Sequence, residues 1–176
     1  MKFINLNYFV ILIYLISTNF LHSTDLPEIK NLIIHKNKKK IENIEFININ
    51  GQKLSINNYS KNPKIINFWA TWCAPCRKEM PSLDKLKLIN EFNEVDIIPI
   101  NIGGDTKEKS KKFFEDTKIN NLEIFSGSGQ EFSSKFKIRG LPTTILIDKN
   151  GYEFARIVGY IDFENKLFLD WLINNL

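Results

Sequence analysis

The chain has 176 residues, 43% hydrophobic and 25% charged, which suits one main globular domain with some chain to spare. Its 24 Lys and Arg against 20 Asp and Glu leave a net charge of +4, too small to point to nucleic acid. Two cysteines are too few for a structural disulfide framework, and a bridge across so short a loop would add little stability.

Met1-Lys2 precedes an apolar block that extends from Phe3 to Leu21 and is densest from Tyr8 to Ile16. One positive charge before a short apolar core predicts an export signal over residues 1–22, either cleaved or kept as a membrane anchor through residues 3–21. Residues 23–40 read as a polar linker, rich in Lys and Asn, with Pro27 and the run Lys36-Asn37-Lys38-Lys39-Lys40. No aromatic lies within that run, so it predicts a solvated stretch rather than a binding patch. Residues 41–176 form the expected domain.

Ile44 to Ile49 alternates apolar with polar, Asn50-Gly51 is a turn signal, and Lys53 to Ile56 can return as a strand, predicting an N-terminal β-hairpin. Lys64 to Trp69 is apolar at nearly every position, as a strand buried on both faces would be. A helix is predicted from Ala74 to about Asn90, with Met80, Leu83, Leu86 and Ile89 inward and a kink at Pro81. Asp96 to Ile102 predicts a second buried strand. Asp105 and Glu108 have capping-box spacing for a helix reaching about Thr117, held by Phe113 and Phe114. A short strand at Leu122–Phe125, a short helix over Gln130–Phe136 and two strands joined by Lys149-Asn150-Gly151 follow. A final helix capped by Asp162 would place Phe163, Leu167, Phe168, Trp171 and Leu172 on one face. The order predicts an α/β fold, a central mixed sheet flanked by helices with the hairpin added in front.

Both cysteines fall in Trp72-Cys73-Ala74-Pro75-Cys76, where a buried strand meets a helix start. A C-x-x-C in that setting is a redox motif. A Cys73 thiolate at the helix N-terminus would be stabilised by unpaired N–H groups and the helix dipole, which makes it the expected attacking thiol. Cys76, one turn further in, is the expected resolving thiol, and Pro75 costs the first turn no hydrogen bond. Glu79 lies three residues beyond Cys76 on the same helix face. It reads either as a proton acceptor for Cys76 or as a solvated helix glutamate. Gly140-Leu141-Pro142-Thr143 reads either as an ordinary turn or as a cis-proline loop whose backbone could pair with an extended client. A structural zinc would need two more ligands, and the only histidines, His22 and His35, fall in the leader and linker.

From about Phe46 to Leu176 the chain resembles the thioredoxin superfamily, and within it the exported TlpA/ResA branch. Asn67 to Pro81 carries most of the likeness, with Gly140 to Thr144 and Ile147 to Gly151. The resemblance implies a thioredoxin-like fold, exchange of disulfides through a reversible Cys73–Cys76 bridge, a cis Pro142 and a buried functional glutamate at Glu79. Asn67 departs from the buried Asp of general thioredoxins. Trp72, Ala74, Pro75, Leu141 and Thr143, which flank the pair and the proline, are the expected client-binding residues. The branch implies a reductant of protein disulfides in the bacterial periplasm or on the outer face of the inner membrane. Its clients would be apocytochrome c or a copper-site assembly protein, its electrons would come from a membrane thiol reductant, and no cofactor is implied. Two alternatives fit less well. A peroxiredoxin-type peroxidase would want T-x-x-C, whereas Thr71 is two residues before Cys73. A non-enzymatic copper carrier would want C-x-x-x-C and a distant His.

Overall fold

The computed structural model describes residues 29–56 and 61–176. The expected leader, residues 1–22, and the first residues of the expected linker lie outside the described part. Among the described residues, no helix is long and apolar enough to cross a membrane.

Eight strands form one mixed sheet: β1 (Leu32–Lys40), β2 (Glu45–Asn48), β3 (Lys53–Ser55), β4 (Lys64–Trp69), β5 (Asp96–Asn101), β6 (Phe125–Ser126), β7 (Thr143–Ile147) and β8 (Tyr152–Val158). Their spatial order is β1-β8-β7-β4-β5-β6-β2-β3. The central strand β4 is parallel to β5 and antiparallel to β7, with all six of its residues buried. Its side chains alternate between two cores. Ile65 and Trp69 join Met80, Leu83, Phe113, Phe168 and Leu172 on one face, and Ile66 and Phe68 join Phe132 and Phe136 on the other. The helices supply those partners: α1 (Ala74–Leu86), α2 (Lys107–Asp116) and α4 (Lys166–Ile173) for the first core, α3 (Gly129–Phe136) for the second.

The hairpin forms as β2 and β3, with Gly51 at φ +80 in the turn, and β2 joins the sheet through β6. The first helix continues through Pro81 and stops at Leu86. Chain beyond it tightens into a 3-10 turn at Asn90–Phe92 instead of continuing the helix to Asn90.

Five expectations are corrected. Residues 32–40 are not linker but the edge strand β1, paired antiparallel with β8. An edge strand shows a single ladder to the sheet, so its lysines can point to water and mask the strand pattern. His35 therefore sits in the sheet, its Nε2 2.6 Å from Glu153 Oε1. The second helix is capped by Thr106, whose side chain accepts from the Lys109 N–H, and Asp105 turns elsewhere. The last helix is capped by Asn165, while Asp162 accepts from the Glu164 N–H in the preceding turn. Leu167 does not share the buried face of Phe168 and Leu172 but is 67% exposed, and Phe163 is buried ahead of the helix. The short strand is confined to Phe125–Ser126, with Leu122 buried in the loop before it.

Candidate active site

β4 ends at Trp69, and a tight loop delivers Cys73 to the N-cap of α1, extended at φ −83 and ψ 103. Cys73 and Cys76 are joined by a disulfide with a Cα–Cα distance of 5.3 Å. The Cys73 sulfur accepts a hydrogen bond from the Cys76 N–H at 3.2 Å. That N–H is one of the unpaired donors of the first helical turn. A thiolate at Cys73 would meet the same donor and the positive end of the helix dipole, both of which favour negative charge there. Pro75 occupies the first turn, and Cys76 is fully buried beneath. Trp72 stands beside the pair with 68% of its surface exposed, its Nε1 3.4 Å from the Gly103 carbonyl oxygen. Ala74 is exposed at the first helical position.

Glu79 lies one turn beyond Cys76 and is completely buried, so it is not a solvated helix glutamate. Its Oε1 accepts from Asn67 Nδ2 at 2.7 Å and its Oε2 from the Ile161 N–H at 2.9 Å. Burial pushes the Glu79 carboxyl up from 4.5 to about 8, against the opposing pull of the Ile161 and Asn67 hydrogen bonds. A carboxyl that exchanges a proton near neutral pH can serve acid–base chemistry at its neighbour. Asn67 also donates to Thr144 Oγ1 at 2.9 Å, which ties β4, β7 and α1 together beneath the dithiol.

The Leu141–Pro142 peptide is cis. The register Phe68 opposite Thr143 sets Pro142 at the end of β4 from which the dithiol loop departs. The Pro142 carbonyl accepts from the Gly159 N–H at 2.8 Å, and Thr143 Oγ1 donates to the Gly140 carbonyl at 2.8 Å. Among the described residues, the backbone N–H and C=O of Leu141 make no backbone–backbone hydrogen bond of this kind, and such groups can pair with an extended strand.

One residue near the pair escaped the sequence reading. Asp105 accepts from the Thr71 N–H at 2.8 Å, from Thr71 Oγ1 at 2.6 Å and from Asn101 Nδ2 at 3.0 Å. Burial works against its charge, yet the Thr71 and Asn101 hydrogen bonds outweigh it and hold the carboxyl below its usual range. Its capping-box spacing with Glu108 hid this use, and nothing local pairs it with a threonine 34 residues earlier. Among the described residues, no group of three or more His, Cys, Asp and Glu is arranged to hold a metal ion.

Comparison with known proteins points the same way. The AhpC/TSA family matches residues 38–152. "Thiol-disulfide oxidoreductase ResA" of Geobacillus kaustophilus is 33% identical over 117 residues, 66% of this chain and 66% of that protein. The chain thus spans just under two thirds of that relative's length. "Thioredoxin-like protein YneN" of Bacillus subtilis is 30% identical over 127 residues, 69% of this chain and 73% of that one. Among solved structures, a DsbF homologue from Corynebacterium diphtheriae superposes with a TM-score of 0.68. It is 21% identical, and the match covers 85% of this chain and 96% of that one. The fold is that of the thioredoxin-like proteins.

Proposed function

The chain belongs to the AhpC/TSA family, and on that premise we propose that it is a ResA-like thiol–disulfide oxidoreductase that reduces protein disulfides outside the cytoplasm. The observation that carries this is the closed Cys73–Cys76 bridge across the first turn of α1. In the reduced protein, the Cys73 thiolate attacks one sulfur of a client disulfide and expels the other as a thiolate. Cys76, giving its proton to Glu79, then attacks Cys73 Sγ, closes the bridge and releases the second client thiol. Two electrons pass to the client, and the chain is left in the disulfide form described above. A dithiol donor must then reduce the bridge.

Trp72, Ala74, Pro75, Leu141, Pro142 and Thr143 surround the pair and form the proposed client surface. The exposed Trp72 ring offers apolar contact, and the Leu141 backbone offers strand-like pairing. The apolar block Phe3–Leu21 supports export, with anchoring at the outer face of the inner membrane or release into the periplasm. In that compartment the proposed clients are apocytochrome c or a copper-assembly protein, and the proposed donor is a membrane thiol reductant. The test is trapping. A Cys76→Ser chain should hold its client as a stable mixed disulfide through Cys73. If it captures nothing beyond what a Cys73→Ser chain captures, the proposal fails.

A further inference from the structure

The second hydrogen bond to Glu79 comes from a backbone N–H that is itself held from outside the site. The Ile161 N–H and the Tyr160 carbonyl are the two ends of one planar peptide unit. The N–H end reaches Glu79 Oε2 at 2.9 Å, and the carbonyl end accepts from Asn31 Nδ2 at 2.7 Å. Asn31 is well placed to hold this unit. It directly precedes β1, and its own carbonyl accepts from the Val158 N–H at 3.1 Å. It therefore grips the turn after β8 at two points. Gly159 in that turn adopts φ +96, open to few residues but glycine.

We propose that Asn31 is a positioning residue for Glu79, fixing the Tyr160–Ile161 peptide so that its N–H stays aimed at the buried carboxylate. Donation to the carbonyl end also polarises the peptide and strengthens the bond made by its N–H end. Losing the Asn31 side chain frees the peptide to rotate, and the carboxylate loses its backbone donor. The stretch just before β1, expected from sequence to be linker, thereby tunes the dithiol's neighbour.

The other groups around Glu79 leave few rival causes. On α1 these are Cys76 and Lys78, whose Nζ lies 4.3 Å from the centre of the Tyr160 ring. The turn after β8 adds Tyr160 and Asp162. β4 and β7 present the uncharged Asn67 and Thr144, and β8 places Ile157 opposite Thr144. Lys64 lies at the far end of β4, paired with Asp96.

The inference rests on the reading of Glu79 as the proton acceptor of Cys76, but its test is separable from that reading. The Glu79 carboxyl is followed by carbon-13 NMR in the full chain in its disulfide form, where neither cysteine titrates. In Asn31→Ala the midpoint should rise above the parent's by on the order of one pH unit, the effect of losing one N–H donor. An unchanged midpoint in the folded variant overturns the inference. If the variant does not fold, the parent decides. Its Asn31 side-chain amide protons should shift with the Glu79 midpoint, and a flat response overturns the inference. Alkylation of Cys76 in Glu79→Gln judges the proton-acceptor reading by itself. An unchanged pH profile there removes that reading, while the carboxyl midpoint still decides the role of Asn31.

Discussion

Asn67 on the central strand donates to Glu79 on the first helix across 2.7 Å, both side chains fully buried below the Cys73–Cys76 bridge. The strand contributes an amide and the helix a carboxyl. Among the described residues, the one acid in this buried network is therefore one turn from Cys76, and it comes from the element that carries both cysteines.

Glu79 makes stability depend on pH in a defined direction. With its carboxyl raised from 4.5 to about 8, the native protein keeps a proton that the unfolded chain has released. The contribution is complete below the ordinary value and declines as pH climbs towards the raised one, by about 1.4 kcal/mol per pH unit. Glu79→Gln removes this slope. Urea unfolding of both chains across that interval should show the parent losing stability relative to the variant as pH rises. Parallel curves would mean that Glu79 is charged throughout.

Trp72 is exposed and makes one long hydrogen bond, so Trp72→Ala should change folding stability by only about 0.5 kcal/mol. If the ring contacts the client, KM for a disulfide substrate should rise roughly tenfold, the loss of about 1.4 kcal/mol of contact. An unchanged KM would take Trp72 out of the client surface.

Asp105 clasps the loop that presents Cys73. Asp105→Ala leaves the Thr71 N–H and hydroxyl without their acceptor, at a cost of about 1–3 kcal/mol. Hydrogen exchange should quicken first at residues 71–73. Protection unchanged there would show that the loop holds its shape without the clasp.

Asp84 is buried on α1, and its carboxylate accepts from the N–H groups of Asn120, Asn121 and Leu122 and from Asn121 Nδ2. Asp84→Ala should destabilise the fold by roughly 3 kcal/mol, since buried donors lose a charged acceptor. Reductase activity per folded molecule should be retained at temperatures well below unfolding. A specific loss of activity in folded protein would contradict this purely structural role.

What could be read from sequence was whatever leaves a local signature. The unbroken apolar run of β4, the Asn50-Gly51 turn and the C-x-x-C at a helix start each follow from neighbouring residues. Glu79 was visible through helical spacing, though its burial depends on Asn67 and on Ile161, which is 82 positions away. Long-range side-chain bonds of this kind leave no periodic trace. Asp105 on Thr71, Asp84 on the 120–122 loop and Asn31 on Tyr160 were hidden for that reason. β1 was missed because, among the described residues, only one of its edges is paired and its lysines are exposed, which gave it the composition of a linker.

In the proposed reaction Cys73 and Cys76 carry disulfide reduction together. Its most direct measurement is dithiothreitol-driven reduction of insulin by the parent, Cys73→Ser and Cys76→Ser chains, all confirmed to be folded. The parent should catalyse the reaction and each variant should lose it, because a single thiol cannot both attack the client and resolve the mixed disulfide. If both variants keep the parent's rate, the dithiol is not the site of reduction.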